Sequence, residues 1–455
     1  MDARPDFAEY IHTFNERLAH YIVPKPWSPG EEALYRPDNL FTVPRDEAND
    51  MRLKAVRHAF QHHYANNAFY RNFCQENGVT PEDIKELDDL ARIPLIPDTF
   101  FKDYPAGEDF ARWIATMYTG ELPAVTVTKR NPSYDDVVSE LNDAGMHIAY
   151  SSGTSGRHTF IPRNQRTFYT SEYAIAKSVI TMIYPFWEYD VDGYLMMPNP
   201  LKTNVYAGKV CTMYFDAIKN VDVAIDRDLP ADLIQQAMQD GIKSRLIKYG
   251  IRRANKKMVD RIIAWLRQRE KSGRKITMVG LPFILHFVME RLEQTGETFD
   301  FGERGAIATG GGWKIYENQR MPVEDFRKRA EEFLGIPPHQ CLDVYGMVEG
   351  NGWMVHCPEG HYLHIPHSYF HPLVLSETYH PLGYGEWGQF AFLDPLAESY
   401  PGFIMTGDKV RLLEHCPVCD RPGPVLEPEI QRIAGAEMRG CAEEMRRVLA
   451  MDLGG

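Results

Sequence analysis

The segment Tyr150–Arg163, YSSGTSGRHTFIPR, constrains this chain more than any other. It follows an apolar run, Met146–Tyr150, that reads as a buried strand. Ser151, Ser152, Thr154 and Ser155 supply hydroxyl donors. Gly153 and Gly156 let backbone N–H groups approach an anion closely. Arg157 and Arg163 add positive charge. Such a loop is suited to a polyphosphate, although the common nucleotide motif GxxxxGK(S/T) is absent. The same composition also suits an ordinary surface turn, so other segments must decide.

Three further turns follow short strand-like runs. Thr309–Lys314 reads TGGGWK, Asp343–Glu349 reads DVYGMVE, and Thr406–Asp408 reads TGD. Each offers a different group. Gly310, Gly311, Gly312 and Gly346 permit close approach to a base or phosphate, and Trp313 and Tyr345 offer aromatic faces. Glu349 offers a hard oxygen ligand for Mg²⁺. Asp408 can accept from both ribose hydroxyls. Singly, Glu349 reads as a solvated charge and Asp408 as a cap. In this order they form a set.

That set resembles the acyl-adenylate-forming superfamily, and within it the acyl-protein synthetases of the LuxE type, with phenylacetate–CoA ligase-like enzymes as near relatives. The similarity spans roughly residues 50 to 441 and includes Asn67–Tyr70 (NAFY) and Ile93–Lys102 (IPLIPDTFFK). The resemblance implies that the 151–156 loop, with Arg157, clamps the ATP triphosphate. Gly310–Trp313 and Tyr345–Gly346 then form the adenine wall, Glu349 holds Mg²⁺ and Asp408 binds the ribose. The implied reaction is carboxylate plus ATP giving acyl-AMP and pyrophosphate, then acyl transfer to a thiol. The residues suit that chemistry. Installing AMP as leaving group needs two anions brought together and pyrophosphate charge neutralised. No side-chain nucleophile is required for that step, and neither GxSxG nor HExxH occurs.

Composition excludes several classes. A chain of 455 residues with 44% hydrophobic and 25% charged residues is long enough for two or three domains and a large core. A net charge of −13 argues against general nucleic-acid binding. No apolar run is long enough to span a membrane, and the N-terminus lacks the pattern of a secretion signal. Seven scattered cysteines do not suggest a disulfide scaffold. A cytoplasmic protein with reduced thiols is expected.

Cys416 and Cys419 form a C-x₂-C knuckle, and Cys357 precedes His361 and His364 about sixty residues earlier. Three thiolates and an imidazole suit a closed structural Zn²⁺ site. The alternative is a reduced pair of surface thiols. The resemblance favours His364 over His361 as fourth ligand.

The tail is short for the superfamily, since 47 residues follow Asp408. The mobile C-terminal lid, with its lysine, is therefore expected to be truncated or absent. Lys314 is one candidate to replace that lysine; a solvated role is as reasonable. Where the superfamily hinge has Gly-Arg, this chain has Gly435-Ala436, with Arg432 nearby. Cys441 sits between Arg439-Gly440 and a helix-like run, a setting that eases thiolate formation. By resemblance it matches the acyl-carrying cysteine of LuxE-type enzymes; a small buried hydrophobe is the other reading. Residues 243–275 carry thirteen Lys/Arg and two acids. That is one or two helices with a solvated basic face, or a dock for an acyl carrier protein, a reductase-like partner or CoA phosphates.

The expected architecture is α/β: a helical region over 1–130, an adenylate-forming body with mostly parallel sheet over 131–384, a β-rich subdomain with the zinc knuckle over 385–430, and a tail over 431–455. A long amphipathic pattern runs from Asn49 to Gly78. Strands are expected at 276–279, 305–309, 342–344, 389–393, 403–405 and 410–413, with a helix over 282–294. The aromatic and Met-rich runs Tyr184–Trp187 and Tyr194–Met197 serve either an apolar pocket or the core. Three functions stay open: an adenylating ligase that loads Cys441 or a protein thiol, an acyl-CoA or amide-forming ligase, and a non-catalytic scaffold. The substrate is a small carboxylic acid in the first two.

Overall fold

The computed structural model describes residues 6–124, 130–151, 157–227, 242–313, 316 and 319–433; of residues 108 and 242–252 only the backbone is described. The chain is mixed α/β, as expected. Its strands are β1 (Ile96–Pro97), β2 (His147–Tyr150), β3 (Phe160–Arg163), β4 (Asp192–Pro198), β5 (Asn220–Ile225), β6 (Ile276–Gly280), β7 (Gly305–Gly310), β8 (Cys341–Tyr345), β9 (Met354–His356), β10 (Leu363–His364), β11 (His371–Leu375), β12 (Trp387–Leu393), β13 (Phe403–Leu413), β14 (Val425–Leu426) and β15 (Gln431–Arg432). Among the described residues, thirteen of these form one sheet, and β2 pairs only with β3.

The parallel block runs β5-β4-β6-β7-β8. β4, β6 and β7 are short and largely buried on both faces, as covering helices require, while the edge strand β5 keeps Asn220 and Asp222 exposed. Pro282 starts the helix Pro282–Thr295 at a position where its missing N–H costs nothing, and Gly296 ends that helix at φ 67°. Residues Val323–Leu334 form the next crossover helix and also end on a left-handed glycine, Gly335. From β4 the chain steps outward to β5 and then returns across β4 to β6. Connections leave the carboxyl ends of β4 and β6 in opposite directions, which opens a crevice there.

β13 joins this block to the antiparallel one. It pairs with β12 along most of its length, with β14 at its far end, and with β1 and β15 in between. The sequence suggests two strands separated by a Gly407-Asp408 turn. Instead one strand runs through it, with an irregularity in its pairing to β12 at this place and β15 pairing with Asp408 and Lys409.

The Asn49–Gly78 pattern also divides differently. One helix spans Arg45–Asn66 and a second spans Ala68–Glu76. Asn67 is the break. Its backbone is extended, its Oδ1 accepts from Tyr70 N at 2.8 Å, and its Nδ2 is shared among the carbonyls of Thr116, Met117 and Tyr118. A buried side chain that caps one helix and holds the end of another outweighs local periodicity. Within the described residues no helix is long and apolar enough to cross a membrane.

Asn67→Ala is expected to lower unfolding free energy by about 1–3 kcal/mol, since it strands buried donors and acceptors. Urea denaturation followed by circular dichroism measures this; an unchanged midpoint would remove Asn67 as the joint.

Candidate active site

The carboxyl ends of β6, β7 and β8 and the middle of β13 border one cavity of about 2340 Å³. Gly310, Gly311, Gly312 and Trp313 line it, together with Tyr345, Gly346, Glu349 and Asp408. Strand register explains part of this convergence. Thr309 lies opposite Asp343 and Gly310 opposite Val344, so the two turns leave the sheet side by side. Gly310 can only be glycine here, because a Cβ would run into Val344; at Gly346 it would run into the Trp353 indole.

Asp408 is buried in mid-strand. Tyr345 OH donates to its Oδ2 at 2.6 Å, and Arg432 Nε lies 3.0 Å from Oδ1. Burial raises its carboxyl above the usual range, with Arg432 and the Tyr345 hydroxyl opposing. Burial likewise pushes Glu349 up, the charge of Asp98 adds to that, and Lys102 and the Thr159 hydroxyl act against it. Thr309 Oγ1 donates to Asp343 Oδ1 at 3.0 Å; burial pushes that carboxyl to about 7.

The hydroxyl-rich loop springs from the β2–β3 hairpin. Its feet are stapled: Ser151 N donates to Thr159 O at 2.9 Å, and Thr159 N donates to Ser151 Oγ at 2.9 Å. Ser151 and Thr159 line the cavity. Ser152, Gly153, Thr154, Ser155 and Gly156 lie outside the described residues, as do Lys314 and Cys441. Arg157 stacks over Tyr104 at 4.3 Å and sits 3.7 Å from Asp103, off the cavity lining.

Arg163 does not supply charge to a phosphate loop. It is wholly buried in β3, with Nε donating to Asn351 Oδ1 at 2.8 Å and Nη2 to the carbonyls of Val348 and Gly350 at 2.6 and 3.0 Å. These carbonyls flank Glu349. Asn351 N in turn donates to Asp394 Oδ2 at 2.7 Å, and Tyr400 OH donates to Glu349 O at 2.9 Å. A buried cation is tolerated here because the backbone turn and the nearby Asp394 carboxyl receive it.

One part of the cavity wall is apolar, formed by Ile175, Val179, Ile180, Phe186, Trp187 and Met197, while Asp226, Lys257, Asp260 and Arg261 line another part. So each of the aromatic and Met-rich runs contributes only its last residues to the lining; Tyr194, Leu195 and Met196 are core, whereas Pro185 is exposed.

Behind β8 lies a second cluster. Single donor atoms of Cys357, His364, Cys416 and Cys419 all fall within 4.8 Å of one another. Cys357 Sγ is 4.0 Å from Cys416 Sγ, and Cys419 Sγ is 3.3 Å from His364 Nε2. Tetrahedral thiolates at a Zn–S distance of 2.3 Å would be about 3.8 Å apart, so the residues fit that ion. Burial lowers the His364 imidazole to about 3, which keeps its lone pair free at neutral pH. His361 sits at φ 58° on the turn that follows Cys357, outside the cluster.

Comparison with known proteins agrees with this layout. The family model for the acyl-protein synthetase LuxE matches residues 34–107 and 248–450. The chain belongs to the LuxE family. A long-chain-fatty-acid–luciferin-component ligase of Vibrio harveyi is 25% identical over 401 residues, covering 88% of each chain. Its counterpart from Aliivibrio fischeri is 23% identical over 411 residues, covering 90% of this chain and 91% of that one. An open conformation of 2-hydroxyisobutyryl-CoA ligase aligns with a TM-score of 0.58 at 14% identity, over 91% of this chain and 80% of that chain, which shows the shared fold. As a LuxE-family member the chain is an acyl-adenylate-forming ligase, which activates an acid with ATP and passes the acyl group to a thiol.

Two LuxE-site features escape a residue-by-residue reading. Asp98 and Lys102 lie within the quoted IPLIPDTFFK run, and their i, i+4 spacing is visible, yet only the fold brings them to Glu349. The bonds from Arg163 to the Glu349 turn span 185 and 187 residues. Of the basic segment, one helix covers Ile242–Ser272. Arg269 Nε pairs with Asp192 at 2.6 Å and Arg267 Nε with Glu297 at 2.6 Å, while Arg253, Lys256 and Lys257 are exposed.

Arg163→Met keeps the bulk of the side chain and removes four donated bonds. Loss of one buried charged partner typically costs about 3–5 kcal/mol, so a fall in melting temperature together with a weaker Mg²⁺ requirement curve is expected. Thermal melts and Mg²⁺ titration of activity, both unchanged, would contradict this role.

Proposed function

We propose that the cavity is the adenylation site, with roles divided among its walls. Tyr345, Gly346 and Gly310–Trp313 receive the adenine, Asp408 the ribose hydroxyls, and the 151–156 loop the phosphates. The observation that carries this reading is that segments far apart in sequence, the Ser151 foot of the hydroxyl-rich loop, the turns after β7 and β8 and the middle of β13, border one cavity, with Glu349 and Asp408 buried there. Glu349 would hold Mg²⁺, which supplies charge neutralisation for the departing pyrophosphate. The apolar walls suit a long hydrocarbon chain, and the V. harveyi and A. fischeri relatives are named for long-chain fatty acids. We assign the acid to that class.

Cys441 is our choice of first acyl acceptor, with a partner thiol docking near the exposed lysines and arginine of the Ile242–Ser272 helix. Lys314 remains our candidate to replace the lysine of the superfamily lid. CoA as acceptor is the competing reading, separated from the first by product analysis. Our division of the chain at 130, 384 and 430 stands as a working frame.

Purified protein is expected to exchange labelled pyrophosphate into ATP only in the presence of a fitting acid. Palmitate should be effective and small aromatic acids poor. Absence of exchange with every acid in a fatty and aromatic panel would refute adenylation. After incubation with ATP and palmitate, mass spectrometry should find the acyl group on Cys441; an adduct on another residue removes Cys441 from the pathway.

Cys357, His364, Cys416 and Cys419 would hold Zn²⁺ with no open position, a folding role. About one zinc per chain is expected by elemental analysis, falling below half with Cys416→Ser. Active protein that contains no zinc would dismiss the site.

A further inference from the structure

Asp98 and Lys102 have no part in the roles assigned above, although both line the acidic end of the cavity. Their placement is built. β1 runs parallel to β13, with Ile96 beside Ile404 and Pro97 beside Met405. Asp98 N then donates to Met405 O at 2.9 Å, which fixes Asp98 close to the β13 segment that carries Asp408. A single helical turn, Phe100–Lys102, follows, anchored by the buried rings of Phe100 and Phe101. The turn carries Lys102 back over Asp98, and Lys102 Nζ lies 2.7 Å from Asp98 Oδ2.

The pair is not a surface ion pair. Asp98 is buried, and its Oδ1 has no hydrogen-bond partner among the described residues. Lys102 keeps 23% of its side chain accessible, on the cavity side. An ammonium has three N–H groups, and one described bond uses one of them. Its charge acts on both Glu349 and Asp408. The other cation at this end, Arg432, is already committed to Asp408.

Adenylation brings two anions together. An oxygen of the acid's carboxylate gives an electron pair to the α-phosphorus. The bond from that phosphorus to the β-phosphate bridging oxygen breaks, and pyrophosphate leaves with the pair. No proton moves. Repulsion between carboxylate and α-phosphate is therefore the electrostatic obstacle, and a desolvated cation between them is worth far more than in water.

Building on the adenylation reading, we propose that Lys102 is a catalytic residue for the first half-reaction. Its ammonium bridges the attacking carboxylate and a non-bridging α-phosphate oxygen, while Asp98 holds the amine at the cavity wall. Lys102 stays protonated throughout, and its charge is no longer needed once acyl-AMP has formed.

The test uses full-length protein with palmitate and ATP, and compares wild type with Lys102→Met and Lys102→Arg. Palmitate-dependent exchange by Lys102→Met should fall about 10²–10³-fold in kcat, as for loss of one oxyanion donor, with KM for ATP nearly unchanged. Transfer from synthetic palmitoyl-AMP to the thiol should stay within about threefold of wild type, which reports an intact fold and second step. Lys102→Arg should retain part of the exchange. Exchange by Lys102→Met within about threefold of wild type would overturn the role, and so would equal loss of both half-reactions. A wild-type protein with no acid-dependent exchange would instead sink the adenylation reading beneath it.

Discussion

One buried guanidinium, that of Arg163, ties the nucleotide end of this molecule together. It sits at the end of β3 remote from the hydroxyl-rich loop, and its bonds close on the turn that carries Glu349. The hairpin that carries the hydroxyl-rich loop and the turn that carries Glu349 thus share one anchor, with Val348 O and Gly350 O facing inward to it. Arginine is suited to this because its planar fork can satisfy two carbonyls and a side-chain amide at once, which a lysine cannot do.

Around that anchor the electrostatics are unusual for a site that must take a polyanion. Three acids, Asp98, Glu349 and Asp408, converge, and burial raises the carboxyls of Glu349 and Asp408. Such a cluster is costly unless cations enter it. Lys102 and Arg432 provide part of the compensation from within the chain. What remains is an appetite for further positive charge, which is the condition under which a magnesium–nucleotide complex binds better than the free nucleotide.

Much of this was legible from local pattern. Apolar runs ending in glycine-bearing turns marked β7, β8 and the β2–β3 hairpin, because strand burial and turn conformation are written within a few residues. Tyr345, Glu349 and Asp408 stood out for the same reason. The C-x₂-C spacing indicated a metal knuckle, and the fold added that His364, held in β10, lies with the thiols while His361 does not. Tertiary facts were illegible. Arg163 looked like a loop cation because its partners are far along the chain. Gly407-Asp408 looked like a turn, because nothing nearby announces that β15 will pair there. Asn67 interrupted a continuous helical pattern through carbonyls some fifty residues away.

The arrangement at Asp408 has a consequence for signalling along the chain. Both of its oxygens are occupied, one by the Tyr345 hydroxyl and one by Arg432. A ribose that claims this carboxylate must evict one or both occupants. Arg432 belongs to β15, a two-residue strand whose pairing with β13 is short. Sugar and strand therefore compete for one acceptor, and filling the pocket loosens the point from which the C-terminal segment departs.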